Sequence, residues 1–140
     1  MTNKTDLLTS YLAELDDPST NRAHIESYFA SSYKDFDRSP MAPTELSDRD
    51  AHLMFFDALQ EGMSDYSHTV HLAEELPSGK VVTYWTFEGT HTGMFFGVPA
   101  TNKRVRCNGL DIYTLDENGK FTEQRHVEDI AGLMGQLTAM

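Results

Sequence analysis

The chain has 140 residues, 39% of them hydrophobic, and a formal net charge of -11 from 22 acidic against 11 basic side chains, which describes one globular domain with a single core and no compositional mark of disorder. That charge repels phosphate backbones and anionic lipid, arguing against nucleic-acid and membrane-surface partners, and no apolar run approaches the ~18 residues of a membrane span. A lone Cys107 leaves no intramolecular disulfide and no cysteine-based zinc cluster, and the N-terminal MTNKTDLL lacks the apolar h-region of a signal peptide, so a cytoplasmic location is expected.

Helices come first along the chain. Leu7, Leu8, Tyr11, Leu12 and Leu15 recur at helical spacing and stop at Asp17-Pro18. Ser19 or Thr20 can cap a second helix that turns Ile25, Tyr28 and Phe29 inward. Ser47 and Asp50 approximate a capping box ahead of Leu53, Met54, Phe55, Phe56 and Leu59, a third helix closed by Gly62. Strands are then expected over 68–76, 80–91, 103–115 and 120–128, with turn chemistry at Pro77-Ser78-Gly79 and Asn118-Gly119. Asp129 caps a short last helix containing Ile130, Leu133, Met134 and Leu137. Helices segregated from consecutive antiparallel strands predict an α+β fold, with the helices packed on one face of a curved sheet.

The last hairpin brings two titratable residues together. Asn118-Gly119 signals a two-residue type I′ turn, because both central positions of that turn need positive φ. Glu117 then pairs with Lys120, and counting outward sets Asp111 opposite His126 on one face, with Cβ atoms ~5 Å apart. A carboxylate at that distance can bond the imidazole, raise its pKa above the usual ~6.5, fix its tautomer and leave the outer nitrogen for acid/base work. A four-residue loop over 116–119 would shift the register by one and break the pair. The Asp111 face also carries Cys107, Gly109, Tyr113, Thr122, Gln124 and Glu128, whereas the opposite face holds Leu110, Ile112, Phe121 and Val127 beside Arg106 and Arg125. Hydrophobicity alone allows the second face to be the core, in which case the pair is a solvated contact worth little; a polar-lined pocket gives the same pattern.

On the strand before it, Val81, Thr83, Trp85, Phe87, Gly89 and His91 share a face. His91 reads either as a pocket residue or as a ring that caps a loop through backbone hydrogen bonds. His68 and His71, three apart on a strand, face opposite ways and cannot share a metal. Asp16-Asp17 and Glu74-Glu75 read as solvated, and there is no GxSxG elbow, P-loop or GxGxxG.

GTHTG at 89–93, GVPATNKRV at 97–105 and GLDIYTLDENGKFTEQRHVEDIAGLMGQL at 109–137 resemble the C-terminal half of the SnoaL-like polyketide cyclases, in the nuclear transport factor 2-like superfamily. The resemblance covers roughly residues 85 to 137 by motif and the remainder by the order of elements. It implies a cone: a curved antiparallel sheet with N-terminal helices on its concave face and a short C-terminal helix, enclosing one pocket. It further implies a homodimer or homotetramer working without metal or organic cofactor. By the same resemblance His91 matches a pocket histidine, and Asp35 falls near a short strand that carries a pocket Asn or Asp, where it would polarise a substrate oxygen or cap a turn. The family's acid/base aspartate follows the place of Arg125, held here by His126, and a pocket histidine occupies the place of Asp111, so the two residue types look exchanged. Gly109 stands where a glutamine is usual, and Ala100 and Asn102 where proline and glycine are.

The function expected from these residues is a small-molecule enzyme acting on a hydrophobic, carbonyl-bearing and cyclic compound. Asp111 and His126 would abstract an acidic C–H proton and His91 would hydrogen-bond the enolate oxygen, leading to aldol-type cyclisation or isomerisation. Trp85, Phe95 and Tyr113 would line the pocket. Two rivals stand beside it: a dehydratase or hydrolase using the same pair, and a non-catalytic ligand-binding or dimerisation module.

Overall fold

The structure is a computed structural model in which residues 3–139 are described. Chain order is α1 (Lys4–Asp16), α2 (Arg22–Glu26), β1 (Phe29–Asp35), α3 (Asp48–Gly62), β2 (Met63–Glu75), β3 (Val81–His91), β4 (Arg104–Leu115), β5 (Phe121–Glu128) and α4 (Ile130–Thr138). The five strands form one sheet ordered β1-β5-β4-β3-β2, antiparallel throughout except for the parallel β1–β5 pair. Helices α1 and α3 cover one face of this curved sheet, as the α+β reading expects. Among the described residues no helix is long and apolar enough to cross a membrane.

Side chains that satisfy the first free N–H groups fix the helix starts. Asn3 caps α1, Ser47 caps α3 by accepting from the Asp50 N–H, and Asp129 caps α4 by accepting from the Gly132 N–H. The second helix departs from expectation. Its cap is Asn21 rather than Ser19 or Thr20, and it ends at Glu26, so Phe29 opens β1 instead of continuing a helical stripe. The three residues that suggested a longer helix divide between Ile25 in α2, Tyr28 in the turn after it and Phe29 at the start of β1.

Strict alternation makes β4 the ruler of the sheet. Val105, Cys107, Gly109, Asp111, Tyr113 and Leu115 are all buried beneath the helices, while the residues between them are not. The polar-lined face is therefore the inner one, and Val127, on the apolar face, is 73% exposed. Phe121 is fully buried nonetheless, because the β4–β5 hairpin differs from the expected form. Gly119 has φ 78 while Asn118 does not have positive φ, and the Gly119 N–H closes on the Asp116 carbonyl at 3.0 Å, so the loop is longer than a type I′ turn. Leu115 consequently faces Phe121, one residue out of register, and an irregularity before Thr114↔Glu123 restores the original count. Asp111 does lie opposite His126.

Strand β2 starts at Met63, five residues before its expected start, and carries two further irregularities, between Ser64 and Ser67 and between Val70 and Leu72. The first coincides with Asp65 at φ 49, a left-handed conformation uncommon for a non-glycine residue. Its effect is to set His68 opposite Phe87, on the inner face, where unbroken pairing from Met63↔His91 would have set it opposite Thr86. In the 92–103 loop Asn102 has φ 60, which asparagine tolerates better than most side chains, so the turn forms without glycine.

Candidate active site

Between the helices and the inner face of the sheet lies a cavity of about 590 Å³. Leu12 and Leu15 of α1, Phe55 and Phe56 of α3, Phe95 and Phe96 of the loop after β3, and Leu133 of α4 make it largely apolar. Into this lining the sheet sends Asp111, Gln124, His126, Trp85 and Tyr113. A few polar groups converging in an apolar cavity of this size suit a small organic ligand.

Asp111 is the deepest of the charged groups, 4% exposed. Its Oδ2 accepts from Trp85 Nε1 at 2.7 Å and from the Thr83 hydroxyl at 3.4 Å, and its Oδ1 from Gln124 Nε2 at 3.0 Å. The Gln124 amide oxygen in turn accepts from the Tyr33 hydroxyl. Trp85 reaches the carboxylate because β4 has glycine opposite it: a Cβ at Gly109 would stand 2.3 Å from the indole. That contact gives a physical reason for glycine where glutamine was expected. Burial pushes the Asp111 carboxyl up, the negative charge of Glu128 adds to it, and Trp85, the charge of His126 and Gln124 pull the other way; the balance is about 6.

His126 is held differently from the expected dyad. Its Nδ1 lies 2.7 Å from Glu128 and its Nε2 2.8 Å from Asp35, and its backbone N–H donates to Asp37. It makes no hydrogen bond to Asp111. Each ring nitrogen faces a carboxylate, which only accepts, so both carry protons. Burial opposes the charge, but the bonds to Asp35 and Glu128 and their negative charges outweigh it and raise the pKa to about 10. The ring is thus a fixed imidazolium rather than a base with a free outer nitrogen. Asp35 also accepts the Asp37 N–H, so it caps a turn and anchors His126 at once. Asp111, His126 and Glu128 present ligand-type atoms within 4.8 Å of one another, yet a ring with both nitrogens committed, and positively charged, is a poor cation ligand.

Of the other expected site residues, Trp85, Phe95, Tyr113 and Asp35 line the cavity, and His91 does not. His91 is fully buried, its Nδ1 accepting from the Thr101 N–H at 3.2 Å and its Nε2 donating to the Val98 carbonyl at 3.2 Å. Phe95 stands edge-on to it and forms the cavity wall. Both nitrogens being used to pin the loop, His91 has no hydrogen bond left for an enolate, and that expectation is corrected. Arg125, on the outer face, lies over the Phe36 ring at 4.4 Å.

Two cavity histidines were missed. His52 belongs to a stripe with Phe55, Phe56 and Leu59, spaced i, i+3, i+4 and i+7, and all four line the cavity; that spacing was the signal. It meets the Tyr11 hydroxyl at 3.0 Å, and burial, with the His126 charge second, lowers its pKa to about 4, so it stays neutral. His68 bonds Asp16 through Nδ1 at 2.7 Å, which also corrects the reading of Asp16 as merely solvated. His71 points the other way, to Thr86 on the outer face.

A five-stranded curved sheet with helices over one face and a cavity between them is the nuclear transport factor 2-like fold. Residues 8–137 match the SnoaL-like polyketide cyclase family, and the chain belongs to it. Among solved structures it is similar to TsrD from Streptomyces laurentii, at 22% identity and a TM-score of 0.76 over 96% of this chain and 93% of that one. It is similar also to IdmH from Streptomyces antibioticus, a proposed polyketide cyclase, at 19% identity and a TM-score of 0.79 over 97% of this chain and 99% of that one. AclR from Streptomyces galilaeus, a proposed hydroxylase, aligns at 19% identity and a TM-score of 0.78 over 98% of this chain and 82% of that one. At such identities the likeness is one of fold. Comparison with curated proteins by sequence gives no match.

Proposed function

We propose that this protein is an acid/base enzyme that enolises a hydrophobic carbonyl compound in its cavity and then cyclises or isomerises it, with Asp111 as the proton acceptor. The observation that carries this reading is a buried carboxylate in the wall of a largely apolar cavity, with a pKa of about 6. Such a group is ionised at neutral pH and close enough to neutrality to take a proton and give it back. Three of its roughly four acceptor positions are filled by Trp85, Thr83 and Gln124, which leaves one for a substrate proton.

In the first step the α C–H bond breaks, the proton moves to Asp111 and the electron pair delocalises onto the carbonyl oxygen as an enolate. The enolate carbon attacks a second carbonyl of the same molecule, and the new alkoxide takes its proton from the Asp111 acid. No net proton is consumed. His126 acts at a distance: its fixed positive charge opposes the charges of Asp35 and Glu128 and keeps Asp111 ionised near neutral pH. Trp85, Phe95 and Tyr113 shape the apolar walls and His91 serves the loop. Assembly as a homodimer or homotetramer belongs to the same proposal.

The test is solvent exchange, which needs no knowledge of the natural substrate. Purified protein is incubated in D₂O with bicyclic aryl ketones such as 1-tetralone, and loss of the α-proton signal is followed by NMR. Wild-type protein is expected to accelerate exchange and Asp111→Asn to abolish the acceleration. Exchange at the background rate with wild type, or equal acceleration by the variant, overturns the assignment; saturable binding without exchange identifies a binding protein.

A further inference from the structure

The cavity holds a second titratable group that the reaction above does not use. His68 sits on β2 with its ring against two cavity aromatics, edge-on to Trp85 at 4.9 Å and tilted on Phe87 at 5.3 Å between centroids, and it lines the cavity itself. Its side chain is 6% exposed. Asp16, the last residue of α1, accepts from it twice: Nδ1–H at 2.7 Å and the backbone N–H, also at 2.7 Å. Because a carboxylate only accepts, the neutral ring carries its proton on Nδ1 and a lone pair on Nε2. Nε2 has no protein partner among the described residues and is not sealed away. The ring lines the cavity, is oriented by one carboxylate and keeps Nε2 free of protein partners, the arrangement that makes a histidine a base.

The inward placement of His68 depends on one inserted residue in β2. His68 reaches the inner face only through the irregularity at Asp65, whose left-handed φ of 49 aspartate tolerates better than most side chains. Trp85 links this site to the first, its ring against His68 and its Nε1 on Asp111.

We propose that Asp16 and His68 form a second proton-accepting dyad in the cavity, with His68 Nε2 receiving the proton of a phenolic or enolic hydroxyl on the ligand. A neutral imidazole nitrogen takes a proton from an acidic hydroxyl, such as a phenol or enol, far more readily than from an alcohol. Aromatic walls at Trp85 and Phe87 suit a flat ring bearing it. In this step the ligand O–H bond breaks, its electron pair stays on oxygen, an N–H bond forms at Nε2, and Asp16 offsets the imidazolium charge. This deepens the small-molecule reading of the cavity and rests on it, while leaving the C–H step to Asp111.

The probe is 4-nitrophenol, whose phenol and phenolate differ in colour. It is titrated into the full chain at fixed pH while the histidine ring nitrogens are followed by ¹⁵N NMR. In the free wild-type protein His68 is expected to carry its proton on Nδ1 with Nε2 bare; on binding, Nε2 gains proton character and the phenolate-to-phenol ratio of bound probe exceeds that in buffer by about tenfold, one pKa unit. His68→Gln is expected to bind the probe with the ratio found in buffer. Asp16→Asn, donating to Nδ1, is expected to move the proton to Nε2 and to abolish the rise. Asp111→Asn is expected to keep the rise while losing ketone exchange, which separates failure of this dyad from failure of the Asp111 assignment. A proton on Nε2 in the free protein, an equal ratio in wild type and His68→Gln, or no saturable probe binding by folded wild type would each overturn the proposal.

Discussion

Replacing Asp111 by Asn should stabilise the protein while silencing it. The carboxyl is 4% exposed, and its pKa is raised from 3.8 to about 6, so holding it charged at neutral pH costs about two units, or ~3 kcal/mol. Asn removes that cost without changing the shape of the side chain. The hydrogen bonds can be kept: the Asn oxygen accepts from Trp85 Nε1, its NH₂ donates to a flipped Gln124 oxygen, and Gln124 then donates to the Tyr33 hydroxyl. Allowing for imperfect rearrangement, the expected gain is roughly 1–3 kcal/mol at pH 7.5, or about 3–10 °C in Tm for a domain of this size. The sign depends on pH in a defined way. Because the folded pKa lies above the unfolded one, the folded wild type binds more protons between about 4 and about 6, and its stability falls through that window. The difference between variant and wild type should thus be small near pH 4 and reach its full value above pH 6. Thermal unfolding followed by circular dichroism at several pH values measures it. A variant destabilised at pH 7.5 by an amount that does not change down to pH 4 would refute the raised pKa and, with it, the choice of Asp111 as the base.

Other perturbations test the neighbouring parts. His126 has a folded pKa raised to about 10, so the stability it contributes is complete below its unfolded value of ~6.5 and is lost as pH rises through 10; denaturant titrations should show that alkaline loss in wild type and not in His126→Gln, and parallel curves would refute the imidazolium. Trp85→Phe removes a hydrogen bond that holds the Asp111 pKa down, so the acid limb of the ketone-exchange pH profile should move to higher pH; an unmoved limb counts against the contact. Gly109→Ala drives a Cβ into the indole, with an expected cost of ~1–3 kcal/mol and altered tryptophan fluorescence, whereas an unchanged spectrum with unchanged stability would mean that the ring has room to move. His126→Asp sets a third carboxylate between Asp35 and Glu128 and should destabilise more at pH 8 than His126→Gln does, the excess shrinking as pH falls; equal losses would mean that charge does not govern the cluster.

The sequence was most informative where alternation is regular and least where one residue is inserted. On β4 every second residue from Val105 to Leu115 is buried, so alternation grouped Asp111 with Tyr113 and their cross-strand partners on one face, while leaving open whether that face was pocket or surface. The expected match of Asp111 with His126 holds, though by way of two offsets that cancel: a longer loop at Gly119 shifts the register, and the irregularity between Phe121 and Glu123 shifts it back. Pairing fixes which backbones are neighbours, not where side chains bond. Glu128, two residues along the same face, and Asp35, on a strand 91 residues earlier in the chain, take the imidazole instead, and no local pattern forecasts the parallel β1–β5 contact. His68 was hidden for a similar reason, since only the irregularity at Asp65 turns it inward.

These placements give the exchanged Asp and His a physical meaning. The position on β4 is the drier one, walled by Trp85, Thr83 and Gln124, all neutral donors; the position on β5 lies between two carboxylates. A histidine on β5 therefore keeps its proton and serves as a fixed cation. A carboxylate at the same place would be a third negative charge, and one of the three would have to stay protonated. On β4 the carboxylate meets donors that moderate the effect of burial without neutralising it, which holds it near the pH at which a base is useful. On the proposed mechanism the proton-accepting role falls to β4, next to Trp85 and, through that ring, to His68.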